Sequence, residues 1–459
     1  MTSEILIVNK NAIALAADSI VTVSDESTYE GVNKLFMLSN NPPMGIMIYG
    51  NAEFMGIPME TLIDEYKKIA DFGVNNSVHK IMEDFLDFLE NSYHKYADSS
   101  INDYYFDFNA FKEKIIQIIE NDKSALVNDL LFIDSQVSDE ILNLAKEKAL
   151  FDEHEEIFEE LVNNISDLSI ENPGDALKKK FISELSFTGI VIAGFDEEYI
   201  YPSFCEYEVY FVFNEKIFHQ KHDEGINIQE PMIKPFAQRD VIDNFLFGID
   251  FYLIKLFEIF FRKSLDNYGN YFLNSDRENY EDGENQILDS TVDDIKFSMD
   301  YSEYIMAEFE NLIKSIIDIY SYPILANLTA LPKNELINMC ELLIRITSLK
   351  RKVSRGLTTV GGDIDVALIS NGDGFIWVKR KQYFDIESNP HYLVEKIKNS
   401  NMNNIKFELG DKMIEHFRKN RISGGVNIPK EHLPQIAEDL ADKGFENLKK
   451  SLDRAKNGS

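Results

Sequence analysis

Residues 1–18, MTSEILIVNKNAIALAAD, decide how the rest of the chain is read. Two apolar runs flank the turn-forming Asn9-Lys10-Asn11, the pattern of a β-hairpin. A Thr directly follows the initiator Met at one end of this hairpin, and Asp18 closes the other. Removal of Met1, common ahead of a small residue, leaves Thr2 with a hydroxyl and a free α-amine on one residue. An α-amine titrates near ~8, so part of it is unprotonated at neutral pH and can accept the hydroxyl proton, directly or through one water. Thr2 then unites a nucleophile and its base.

Working outward, such an amine needs a nearby cation to disfavour its protonated form. Lys34, anchored by the carboxylate of Asp18, fills that need if a second hairpin lies beside the first. The segments NKLFMLS and MGIMIYG, on either side of the breaker cluster NNPP, supply that hairpin. Gly50 ends it and is suited to present a backbone N–H to an oxyanion. From Glu53 the period turns helical, with Met55, Ile63 and Tyr66 on the face expected to be buried.

The remaining chain alternates in blocks. Residues 67–186 read as acidic helices. Strand character returns at FTGIVIAGF, EEYIYPSF and EVYFVFN, and a long helix is expected from near Pro235. A polar, turn-rich stretch around residues 266–286 follows, then two helices, then the strands DIDVALIS and GFIWVKRKQYF joined by NGDG. The tail is charged and helical. Blocks of strands and helices, as opposed to one-by-one alternation, point to an α+β fold. The divisions are 1–66 and 187–385 for the two parts of a core, 67–186 for a helical insertion and 386–459 for a helical C-terminal extension.

The segments TSEILIVNKNAIALAADS, VNKLF and YGNAEF together resemble the start of a proteasome β-type subunit of the N-terminal-nucleophile hydrolase superfamily, in a divergent bacterial-type form. Thr2 to Asp18 and Asp18 to Lys34 each span 16 residues, the nucleophile-to-Asp-to-Lys spacing of that family. Gly50 falls slightly later than in the family pattern, a shift the longer SNNPPM loop absorbs. GIVIAGFDEE and VGGDIDVALI are similar to later family strands. The resemblance implies a four-layer αββα sandwich and amide-bond hydrolysis by Thr2. It also implies a substrate pocket lined by Val21, Val32, Phe36, Ile48 and Ala52, with cleavage after apolar or aromatic residues. The chain departs from the family where a helper Asp and Ser are usual, because those places hold Leu357 and Val360. Ser354, Thr358, Thr359, Asp363 and Asp365 are the nearby residues able to substitute.

With 46 basic and 79 acidic residues, the formal charge of −33 repels phosphate backbones and anionic lipids, so nucleic acid and membranes are not expected partners. No stretch reaches the roughly 20 uninterrupted apolar residues of a membrane helix. The apolar run of residues 241–261, which carries Asp243, Asp250, Lys255 and Glu258, is expected to be a buried amphipathic helix, in the core or a subunit interface. Two cysteines and no secretory pattern suggest a reducing, cytoplasmic setting. His219 and His222 have a spacing found in metal sites, but no third ligand accompanies them and FHQKHDE reads as a surface loop. No metal or cofactor is expected. The expected function is a threonine endopeptidase acting on peptides or proteins, assembled as a homo-oligomer and served by a separate ATP-dependent unfoldase. A catalytically inactive scaffold on the same fold and a small-amide hydrolase are the alternatives.

Overall fold

The computed structural model describes residues 2–381 except 25–26, 74–76, 97–105, 135–136, 167–169, 171, 252, 255, 259, 262–263, 265–286 and 355–359. Chain contacts divide at Lys381: residues up to Lys381 form one compact unit and Gln382–Ser459 a second. The C-terminal extension and the polar tract around 266–286 therefore lie outside the described residues, as do Leu357, Thr358 and Thr359.

The opening hairpin is β1 (Ser3–Asn9) and β2 (Ala12–Ala17). Asn9 makes its turn: the side-chain oxygen accepts from the Asn11 and Ala12 amides at 2.9 and 3.2 Å, the local bonding that suits Asn to turns. A short hairpin, β3 (Val21–Ser24) and β4 (Ser27–Tyr29), follows. The second expected hairpin is β5 (Leu35–Asn40) and β6 (Pro43–Gly50), paired from Leu35 opposite Met47 to Asn40 opposite Pro43 with a one-residue register shift between Met37 and Ser39. The later strands are β9 (Thr188–Gly194), β10 (Ser203–Phe213), β11 (Lys216–Gly225), β12 (Met232–Ala237), β13 (Asp365–Ser370) and β14 (Gly374–Lys379). They complete two five-stranded sheets, ordered β12-β1-β2-β13-β14 and β11-β10-β9-β6-β5. All the pairings are antiparallel.

Alternation along the strands fixes which side each sheet presents to which neighbour. Leu6 and Val8 of β1, with Ile13, Leu15 and Ala17 of β2, meet Leu35, Met47, Tyr49 and Val191 of the other sheet. The opposite side of the first sheet carries Ile5, Ile7, Ala12, Ala14 and Ala16, which pack on α7 (Asp240–Phe247) and α9 (Lys333–Val353) through Ile242, Leu246, Cys340 and Ile344. Ala12, Ala14 and Ala16, small residues on this face of β2, leave room for α9 to lie close against it. The second sheet's other side, including Ile46, Ile48, Ile190 and Ile192, packs on α1 (Met59–Ile69) and α2 (Val78–Tyr96). With both faces covered, β1 and β2 are buried at every position.

Among the described residues, the α-helices that begin within 67–186 are α2, α3 (Phe108–Asp134), α4 (Asp139–Glu147), α5 (Glu155–Asn164) and α6 (Pro173–Glu184). Phe108 stacks on Phe181 with ring centroids 4.2 Å apart, and Phe151 and Phe158 meet them edge-on. Lys178, Lys179 and Lys180 of α6 are buried and paired with Glu155, Asp139 and Asp129. The acidic charge of this region is thus partly spent on internal ion pairs.

Five expectations need correction. EEYIYPSF is not a strand of its own: residues 197–202 turn, and Ser203 and Phe204 open β10. FHQKHDE is not a loop but lies in β11, a sheet-edge strand whose outward residues are polar. Pro235 does not open a helix: it sits within β12, opposite Ile5, and the helix α7 begins at Asp240. A strand at the sheet edge tolerates a residue without a backbone N–H. The helical period after Glu53 is preceded by a small hairpin, β7 (Glu53–Phe54) and β8 (Ile57–Pro58), although Met55, Ile63 and Tyr66 are buried. The apolar run of residues 241–261 is not uniformly buried. Gly248 ends α7 with φ +68°, and Phe251, Leu253, Leu256, Phe257 and Phe260 beyond it are exposed. The long α8 (Ile287–Leu328) leads into α9.

Candidate active site

The site forms where the start of β1, the end of β2 and the approach to β5 converge. Asp18 is fully buried and accepts three hydrogen bonds. The Ser3 amide donates to Oδ1 at 3.1 Å and Lys34 Nζ to the same oxygen at 2.5 Å, while the Gly361 amide donates to Oδ2 at 2.9 Å. Lys34, 2 % exposed, also donates to the Ile20 carbonyl at 2.6 Å. One carboxylate and one carbonyl thus replace the water that an ammonium gives up on burial. One carbonyl steers the loop that carries it: Gly31 and Val32 both donate their amides to the Ser19 carbonyl, at 3.0 and 3.1 Å.

Thr2 is 3 % exposed, and its carbonyl accepts the Gln238 amide at 3.1 Å, which fixes the chain start to the end of β12. Its hydroxyl donates to Glu4 Oε2 at 3.1 Å. The other oxygen of Glu4 stands 3.6 Å from Lys34 Nζ. Burial drives the Glu4 carboxyl up to about 8; Lys34 opposes the rise and Asp18 adds to it. Sequence reasoning missed Glu4. The signal was its parity with Leu6 and Val8, which places it on the side of β1 facing the other sheet, where an unpaired charge is costly.

Gly361 and Gly362 close the site from the β13 side. The Gly361 carbonyl accepts the Ser19 amide at 3.2 Å, besides the bond its own amide donates to Asp18. Gly362 has φ +71°, and a Cβ on it would fall 2.3 Å from Ser19 Oγ. The pair serves backbone approach to residues 18–19.

The structure brings Thr2, Asp18 and Lys34 into one cluster. Gly50 has φ +77° and lies at the end of β6 opposite Thr188, packed against Phe187. Of the expected pocket residues, Phe36 and Ile48 belong to the core between the second sheet and its helices, while Val21, Val32 and Ala52 are half-buried. Of the candidate substitutes for the missing helper group, Thr358 and Thr359 lie outside the described residues, and Ser354 and Asp365 are engaged elsewhere. Asp365 binds Lys381 through its amide at 2.8 Å and its ammonium at 2.5 Å, and the Ser354 hydroxyl donates to the Lys350 carbonyl. Asp363 is exposed and Val360 fully buried.

His219 and His222 point into different surroundings on β11. His222 Nε2 lies 2.8 Å from Glu208, which raises its pKa, whereas burial lowers that of His219. Among the described residues no group of three or more His, Cys, Asp or Glu side chains is placed to hold a metal ion. Cys205 and Cys340 are free and buried. No helix among the described residues is long and apolar enough to cross a membrane.

No protein-family model matches the chain, and no curated protein matches it. Among solved structures, it is similar to Anbu (ancestral beta-subunit) from Yersinia bercovieri at 7 % identity and a TM-score of 0.26, over 87 % of this chain and 97 % of that one.

Proposed function

We propose that the chain is a threonine-type peptide hydrolase of the N-terminal-nucleophile superfamily, in which the two sheets and their flanking helices are the αββα sandwich of that fold. The observation that carries the reading is the Asp18 carboxylate, which holds Lys34 Nζ and the Ser3 amide on one oxygen beside Thr2. Residues picked from spacing alone thereby acquire a common chemistry.

In this reading Met1 is removed, which frees the α-amine of Thr2. Thr2 Oγ attacks the scissile carbonyl carbon as its proton passes to the α-amine. Lys34 disfavours the protonated amine and Asp18 orients Lys34. The Gly50 amide meets the developing oxyanion. Collapse breaks the C–N bond, the leaving amine takes the proton, and water then hydrolyses the Thr2 ester. Of the expected pocket residues, the half-buried Val21, Val32 and Ala52 are the ones that would meet an apolar or aromatic substrate side chain, Phe36 and Ile48 being enclosed in the core. Residues 67–186 are an insertion and 386–459 an extension on the core. The protein works as a cytoplasmic homo-oligomer to which a separate ATP-dependent unfoldase delivers substrate.

The test joins intact mass with peptide turnover. Purified protein lacking Met1 should cleave peptides after apolar residues, Thr2→Ser should retain part of the turnover and Thr2→Ala none. Full turnover by Thr2→Ala would exclude the mechanism. A scaffold reading draws on the buried Val360 and on the 3 % exposure of Thr2, and predicts that Met1 is retained.

A further inference from the structure

Glu4 is a buried carboxylate that the hydrolase scheme leaves unused. It sits opposite Ala17 in the β1–β2 register, and that small neighbour leaves space for a longer side chain on the same face. Its contact with Lys34 is a long ion pair without a hydrogen bond. Lys34 is already bound by Asp18 and the Ile20 carbonyl, so it reaches Glu4 Oε1 at 3.6 Å, too far for a hydrogen bond. Oε1 is buried without a hydrogen-bond partner. The Thr2 hydroxyl is the group that donates to Oε2. A purely structural carboxylate would have its lone pairs satisfied, since a buried unsatisfied oxygen is expensive.

We propose that Glu4 is the carboxylate that takes the proton of the Thr2 hydroxyl, supplying from β1 the helper group that residues 357 and 360 do not provide. This rests on the hydrolase reading of Thr2 as the nucleophile and assigns to Glu4, in place of the Thr2 α-amine, the role of proton acceptor. As Thr2 Oγ forms its bond to the carbonyl carbon, the O–H bond breaks and the proton moves to Glu4 Oε2. When the C–N bond breaks, Glu4 returns that proton to the leaving amine, so the carboxylate is unchanged after each acylation. The groups facing Glu4 fit such a donor and acceptor. Lys34 favours its ionised form, Asp18 favours its protonated form, and from the second sheet Tyr49 is held neutral with its hydroxyl donated to Glu206 at 2.7 Å. Glu206 is in turn paired with Lys234 of β12 at 2.7 Å. A carboxyl raised to about 8 gives up and recovers a proton near neutral pH, which is where a general base is most effective.

The test is the rate of Thr2 acylation by a β-lactone between pH 6 and 9, in the wild type, Glu4→Gln and Glu4→Asp. General-base assistance is worth on the order of 100-fold, so Glu4→Gln should acylate about 100-fold more slowly while its circular dichroism stays that of the wild type. Glu4→Asp, which draws the carboxylate back from Thr2 but keeps it ionisable, should fall between the two. Rates for Glu4→Gln within about twofold of the wild type would overturn the role of Glu4 and leave Thr2 chemistry standing. If Glu4→Gln does not fold, Glu4→Asp decides, a wild-type rate refuting the proposal. Absence of any wild-type acylation would defeat the hydrolase reading and this one with it.

Discussion

Asp18→Asn keeps the shape of the side chain and removes its charge, leaving the Lys34 ammonium 2 % exposed without its closest partner. Removing one member of a buried ion pair destabilises by roughly 3–5 kcal/mol. Here Glu4 stands 3.6 Å from the same ammonium, and losing the Asp18 charge makes Glu4 easier to ionise, so the effect belongs at the lower end, about 3 kcal/mol. An unfolding entropy of ~2.1 cal/mol/K per residue over the 381-residue unit gives about 0.8 kcal/mol/K, so the melting temperature should drop by about 4 °C. Urea titration of Asp18→Asn, Lys34→Met and the double variant measures the coupling directly. Removing both partners leaves no stranded charge, so the double variant should lose about 2 kcal/mol less than the sum of the two singles. Additive losses, or an Asp18→Asn effect under ~1 kcal/mol, would refute the account of a charge pair shut away from water.

Glu4 gives a prediction about stability that needs no activity. Its folded pKa, about 8, lies above the ordinary 4.5, so between those values the folded state binds more protons than the unfolded one and stability from this group falls as pH rises. Glu4→Gln should therefore gain melting temperature relative to the wild type between pH 5 and pH 8; a constant difference would contradict the burial assigned to the carboxyl. Gly362→Ala forces an L-residue to φ +71° against Ser19 Oγ, and should lower stability in urea by about 2 kcal/mol. Phe181→Ala removes the ring stacked 4.2 Å over Phe108 and should destabilise the helices packed around it by about 4 kcal/mol, read as an earlier unfolding step by circular dichroism.

Local chemistry made much of this fold legible. The Asn-rich turn of β1–β2, the Pro-containing turn of β5–β6 and the NGDG turn of β13–β14 each announce a hairpin, and each hairpin is present. Equal spacing from Thr2 to Asp18 to Lys34 marked residues that meet because β2 ends where β5 begins. What stayed hidden depends on position within the sheet. The charges of β11 and the proline of β12 read as loop and helix start because edge strands relax the alternation and hydrogen-bonding rules that make central strands recognisable. Glu4 escaped for the opposite reason: at the start of a strand it resembles a solvated end, and only the covering of β1 on both faces makes it a buried carboxyl. The apolar run around Phe257 looked like core because composition does not tell a filled face from an exposed one.

The claim that Thr2 is a nucleophile beside its own amine is tested most directly by an epoxyketone, which closes a ring only with a terminal hydroxyl and amine together. Incubation of the purified protein followed by peptide mapping should place the adduct on Thr2, with Lys34→Met labelled far more slowly. A chain that begins at Met1 and carries no adduct would contradict the account.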